Sequence, residues 1–234
     1  MAMTKRKFNK AENQKINSND IPYVWIRKEL ALDREEYRQS DSGKKVRIIQ
    51  EWLSLYGPGI VIDGDFGSAT VRAVRQFQEK NQLPETGKVD ESTFNKLIRP
   101  MLQALKPIDI NTRFYNDLVI AYAQQHLKQH SREIGGDNRG PWVRLYMKGF
   151  EGRRQYWCAG FVSFILKQAA DIMGIFMPFE SSFSCDVLAE RAKNKNIFVT
   201  ERDLRQGNPP KMEMPSGEVY FSVGKVLTIG LTPV

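Results

Sequence analysis

Two cysteines and two histidines carry the strongest chemistry in this 234-residue sequence. Cys158 opens a very apolar run: Ala159, Gly160, Phe161 and Val162, then Phe164, Ile165, Leu166 and Ala169. So little polar face remains that the run predicts a buried helix from about Cys158 to Ala170 at the centre of a domain. A thiol in the first turn of such a helix meets the positive end of the macrodipole, which favours thiolate over thiol. Backbone N–H groups around Cys158 and Ala159 can then donate to an oxyanion. Together these would make a sulfur nucleophile for an amide carbonyl. The competing reading makes Cys158 a small buried hydrophobe, and the residue alone leaves both open. A nucleophile of this kind also needs a base, normally histidine, oriented by a polar third residue. His126 and His130 both precede Cys158 and lie four apart on a predicted helix over roughly 115–130. That spacing also suits a metal pair, but no third ligand stands at a recognisable distance and the zincin pattern is missing. We expect two exposed helix histidines, neither within hydrogen-bond reach of Cys158, with no metal and no cofactor. Cys158 and Cys185 are too few for a disulfide scaffold. They are expected reduced, with a single bridge between them left open.

The elements that must position these groups follow from composition and period. With 41% hydrophobic and 26% charged residues, the chain reads as soluble and globular, with one or two cored domains. No stretch is long and apolar enough to span a bilayer. The first twenty residues are basic and polar with no apolar run behind them, which predicts a disordered arm and excludes a secretory signal peptide. A chain of this kind, made in the cytoplasm and acting outside the membrane, would need another route of release. The formal net charge of +8 favours anionic partners such as nucleic acid, a membrane surface or a wall polymer. The basic residues are dispersed and no nucleic-acid motif accompanies them, so nucleic acid is the weakest of these.

Residues 21–40 form a mixed segment that suits a linker or a docking helix. From residue 41 the pattern sharpens. Val46, Ile49, Leu53 and Tyr56 recur at helical spacing behind Asp41-Ser42-Gly43, and a second helix carries Val74 and Phe77. In a third, Phe94, Leu97, Ile98, Met101, Leu102 and Leu105 make one continuous stripe with Asp90 as N-cap. Three such helices within about 65 residues must bury their stripes on one another. The octets DGDFGSAT (63–70) and TGKVDEST (86–93) echo each other, each a glycine turn feeding a helix. Pro107 opens a linker, and GGDNRGP (135–141) is a turn. After residue 196 strand character appears: IFVT, then EVYFSV and KVLTIGL around Gly224, a hairpin signal.

Residues 46–97 resemble the three-helix peptidoglycan-binding domain. The resemblance rests on Val46, Gln50, Leu53, Asp63-Gly64-Asp65-Phe66-Gly67, Thr70, Ala73-Val74, Phe77-Gln78, Thr86-Gly87-Lys88-Val89 and Thr93. It implies a module that holds peptide stems of peptidoglycan in a shallow groove between helices and turns. Most of these residues read as core or turn geometry; the exposed Asp63 and Asp65 are the candidate ligand contacts.

Residues 135–166 resemble the start of a CHAP or NlpC/P60-type amidase domain, a papain-like peptidoglycan hydrolase. The matching parts are Asn138-Arg139-Gly140-Pro141, Tyr146, and Trp157-Cys158-Ala159-Gly160-Phe161-Val162-Ser163. Ser184-Cys185-Asp186, Ala192-Lys193 and Pro215-Ser216-Gly217-Glu218-Val219-Tyr220-Phe221 are similar to later blocks of that family. The resemblance implies Cys158 as nucleophile, the Cys158 and Ala159 backbone as oxyanion donors, and Asn138 and Trp157 near substrate. Thr228-Ile229-Gly230-Leu231 is similar to the family's histidine-bearing strand without its histidine. The expectation is an α+β multidomain chain. A basic arm and linker (1–40) precede a three-helix bundle (41–105), then a papain-like α+β domain with an incomplete antiparallel sheet (106–234). The function expected is a peptidoglycan-binding, hydrolase-like protein (amidase or endopeptidase on peptide stems) impaired by the missing base. The alternative is a non-catalytic wall-binding protein.

Overall fold

In the first helix of the module, α2 (Lys44–Tyr56), the periodic residues Val46, Ile49 and Leu53 are buried as their spacing requires. The computed structural model describes residues 21–57, 59–109 and 115–198, and the backbone of two strands at 220–223 and 227–230. The expected arm at 1–20, the residues beyond Phe198 in the expected IFVT strand, and residues 215–219 and 231 lie outside the described residues. Helix α3 (Ser68–Lys80) buries Val74 and Phe77 against α2. The third stripe is not one helix. It divides into α4 (Glu91–Leu97) and α5 (Arg99–Leu105) at Ile98. Pro100 is the cause, since it has no N–H to give the preceding turn and its ring collides with the carbonyl four residues back. The stripe itself persists, with Phe94, Leu97, Ile98 and Met101 all buried. Asp90 caps α4 as expected, accepting from Thr93 N at 2.8 Å.

Residues 21–40, expected as arm and linker, are built into the core. A short helix α1 (Val24–Arg27) and strand β1 (Glu36–Tyr37) lie here, and β1 pairs antiparallel with β2 (Val89–Asp90). Ile21, Tyr23, Ile26 and Leu30 are buried with the module's own apolar residues. The apolar content of IPYVWIRKEL decides this, because four large side chains in ten residues gain too much by burial to stay in water.

The second half has five described helices or strand pairs. Helix α6 (Tyr115–Leu127) packs on α8 (Cys158–Met173), with the short α7 (Pro141–Tyr146) and α9 (Cys185–Asn194) beside α8. Gly174 ends α8 in the left-handed conformation at φ 67°. Strands β3 (Tyr220–Val223) and β4 (Leu227–Gly230) pair antiparallel, as the expected hairpin requires, with Gly224 itself outside the described residues. The described fold is thus rich in helices, with two small two-stranded sheets.

The two halves share one core. Trp142, Leu145 and Tyr146 of α7 and Phe164 of α8 belong to the same buried cluster as Val46, Trp52 and Met101 of the module. At this seam Arg144 sits among Glu29 (2.7 Å), Glu51 (2.5 Å) and Glu151 (2.6 Å). Glu51 has a fully buried side chain. Burial pushes its carboxyl above the usual range, with Arg144 opposing. For Glu151, burial is outweighed by the Gly140 N–H and Arg144, which hold that carboxyl below its usual range.

Candidate functional site

The module's two echoing turns are each organised around a buried glutamine amide. Gln50 Nε2 donates to Asp63 Oδ1 (2.8 Å), Asp65 O (3.0 Å) and Thr70 Oγ1 (3.2 Å), while its Oε1 accepts from Gly64 N (2.8 Å). Gln78 repeats the pattern with Thr86 Oγ1 (3.1 Å), Lys88 O (2.8 Å), Thr93 Oγ1 (3.0 Å) and Gly87 N (2.9 Å). Gly64 and Gly87 have positive φ, which an L side chain tolerates poorly. Asp63 is therefore first a turn residue. The Asp65 N–H and then the Gln50 amide, both bonded to its Oδ1, hold its carboxyl below the usual range. Asp65 is exposed at the tip of the same turn.

Cys158 is the first residue of α8, as the apolar run predicts, and it is exposed. Ala159 behind it is fully buried. The helix approaches α7 very closely at Gly160, where a Cβ would stand 2.6 Å from Met147 Sδ and 2.8 Å from Tyr146 O. Trp157 precedes Cys158, its ring stacked on Tyr146 at 5.5 Å between centroids and 10° between planes. One carboxylate ties this region together: Glu133 accepts from Trp157 Nε1 (2.7 Å) and from Asn138 N (2.8 Å). Asn138, Trp157, Cys158 and Ala159 are thereby gathered in one neighbourhood. The Asp63 turn joins them through loop 131–140. Gly135 lies against Ile62, Asp63's neighbour, and Arg132 donates to Leu55 O at 2.7 Å.

His126 departs from expectation. It is fully buried instead of exposed, and both ring nitrogens are engaged. Nδ1 faces Tyr146 Oη at 2.9 Å and Nε2 faces Gln168 Oε1 at 2.8 Å. An amide oxygen only accepts, so Nε2 carries the proton and Nδ1 accepts from the tyrosine hydroxyl. Gln168 passes the chain on to Ala104 O of α5 at 3.2 Å. Burial lowers the imidazole from 6.5 to about 4. His130 lies past the end of α6, exposed and at φ 52°. Among the described residues no hydrogen bond joins either imidazole to the Cys158 sulfur. Among those residues, too, no group of three His, Cys, Asp or Glu side chains could hold a metal ion, and no helix could cross a membrane.

Sequence reasoning missed Gln168, Glu133 and Arg144. His126 could have been placed from its position, since it continues the buried series Tyr115, Leu118, Val119 and Tyr122 along one face of α6.

Parts of this chain are similar to known proteins. One curated relative, the carboxy-terminal processing protease CtpA of Bacillus subtilis (strain 168), is 30% identical over 79 residues. Those residues are 33% of this chain and 17% of that protein. A solved structure, the fused Zn-dependent amidase/peptidase/peptidoglycan-binding domain-containing protein of Clostridium acetobutylicum ATCC 824, is 29% identical. It covers 43% of this chain and 46% of its own, at a TM-score of 0.28. The chain thus spans less than half the length of either. Residues 42–97 match the family model described as "Putative peptidoglycan binding domain". With the paired Gln50 and Gln78 turns in place, residues 42–97 of this chain are a peptidoglycan-binding domain.

Proposed function

We propose that this protein binds the peptide stems of peptidoglycan through residues 42–97, and that its second half is a papain-like, amidase- or endopeptidase-type unit that engages the wall with impaired turnover. Cys158 holds the nucleophile position, with the Cys158 and Ala159 backbone beside it. Asn138, Trp157 and the Asp63–Asp65 turn are the surfaces offered to the stem. The observation that carries the impaired turnover is the confinement of His126. Both of its nitrogens are bonded within the core, so it has no lone pair to offer a thiol. The exposure of Cys158 at a helix start supports residual thiol chemistry there, while the same confinement of His126 supports the alternative, a wall-binding protein without catalysis.

Incubation with purified sacculi separates the readings. Retention on sedimented wall without soluble muropeptides is the expected result. Release that disappears in Cys158→Ala would establish turnover. Failure to sediment with sacculi would refute wall binding itself.

A further inference from the structure

We infer that Cys158 and Cys185 form a thiol pair that a small organic disulfide oxidises to an intramolecular Cys158–Cys185 bond. Each cysteine is the first residue of its helix, Cys158 of α8 and Cys185 of α9. The strand of chain entering α9 is pinned along α8. Ser163 Oγ donates to Ser182 O at 2.9 Å and accepts from Ser182 N at 3.1 Å. Ser182 thus lies beside the second turn of α8, and Cys185, three residues on, reaches the first turn. There the Cys158 sulfur and the Ala159 N–H are near enough to act on the Cys185 thiol. Ser184 fixes this register by capping α9, its hydroxyl accepting from Val187 N at 3.4 Å. Cys185 is also packed against the buried cluster that contains Ala159 and Val162, so it is held toward α8. Both thiols are free, Cys158 exposed and Cys185 half-buried.

Accessibility sets the order of events. The exposed Cys158 thiolate attacks one sulfur of a disulfide RSSR, breaking its S–S bond, forming Cys158–S–S–R and releasing one RS⁻. Cys185, on losing its proton, attacks the Cys158 sulfur, breaks that mixed disulfide and releases the second RS⁻. The two protons leave on two RSH molecules, so two protein thiols are oxidised and one disulfide is reduced. Burial, and then the Cys158 sulfur, push the Cys185 thiol above its usual range, against the Ala159 N–H, which suits a resolving rather than an attacking role. The inference does not depend on wall hydrolysis; its consequence is that oxidation withdraws the sulfur at the α8 start from any other chemistry.

The test uses the full chain and hydroxyethyl disulfide. The expected product is a monomer that has lost both free thiols and two hydrogen masses, with tryptic peptides 155–167 and 168–191 joined until reduction. Cys185→Ser should instead stop at a mixed disulfide on Cys158. Two stable mixed disulfides on the wild-type chain, a disulfide-linked dimer, or no loss of thiol would each overturn the inference. The wild-type measurement decides it even if a variant misfolds.

Discussion

Acidification should weaken this fold through His126 before it reaches most carboxylates. The folded imidazole sits at about 4 against an ordinary 6.5, because burial disfavours its charged form. The unfolded chain therefore binds the proton first. The stability contributed by the neutral, doubly bonded ring is complete above about pH 6.5 and is lost as pH falls toward 4. Weighing the two protonation equilibria gives a loss of about 2 kcal/mol between pH 7 and pH 5, and about 3 kcal/mol by pH 4. Glu51 acts in the opposite sense, since a carboxyl raised by burial gains stability on protonation, and a reference variant is needed to isolate the ring. His126→Gln supplies it: an amide offers one donor and one acceptor side as neutral imidazole does, but does not titrate. Urea unfolding followed by tryptophan fluorescence is a direct readout, because Trp142 lies 6.3 Å from the His126 ring. The wild type should lose about 2 kcal/mol more than the variant from pH 7 to pH 5. Parallel losses, within about 0.5 kcal/mol, would refute the assignment of a neutral, sequestered histidine.

Arg144→Met should cost about 3–5 kcal/mol at neutral pH, because buried Glu29 loses its guanidinium partner and buried Glu51 keeps only Arg47, and the deficit should shrink as the medium is acidified and Glu51 protonates. Denaturant titrations at two pH values measure both effects. Gly160→Ala should destabilise by about 1–3 kcal/mol in thermal unfolding, because the new methyl meets a main-chain oxygen, Tyr146 O, that cannot swing aside. Gln50→Ala and Gln78→Ala should each lose about 1–3 kcal/mol, since each strands a buried glycine N–H and removes the amide that donates to a buried threonine oxygen. Equal losses from the two variants in urea would support the equivalence of the turns; a silent variant at either position would refute it.

What the sequence makes legible here is periodic or local. The stripes of α2 and α3, the Asp90 cap, the Gly224 hairpin and the helix start at Cys158 each depend on residues within one or two turns of one another. Gln50 and Gln78 stood within reach of the same reasoning, for each precedes one of two echoing octets, but an amide's choice of partners is visible only once the turn is folded over it. Arg144 was out of reach. Its partners come from positions 29, 51 and 151, and no period connects them. The split of α4 from α5 was carried by Pro100 and overruled by the continuity of the apolar stripe. A stripe reports which side is buried and is silent on whether the backbone bends beneath it.

The seam between the two halves bears on how a wall-binding module could serve its neighbour. A flexible tether raises local concentration and leaves orientation free. This chain does something else. Trp52 of α2 meets Trp142 of α7 edge to face at 6.3 Å, Trp25 donates to Leu145 O at 3.0 Å, and the His126 relay ends on a carbonyl of α5. Each contact belongs to a shared core, where displacement exposes apolar surface or strands a buried polar group. On the proposed function, a peptide stem held at the Asp63 turn would stand at a fixed bearing from Cys158, set by loop 131–140 and not by linker length. The burial of His126 follows from the same construction: the imidazole is spent on joining α6, α7, α8 and α5, and a ring that holds four elements together is not free to move a proton at a surface thiol.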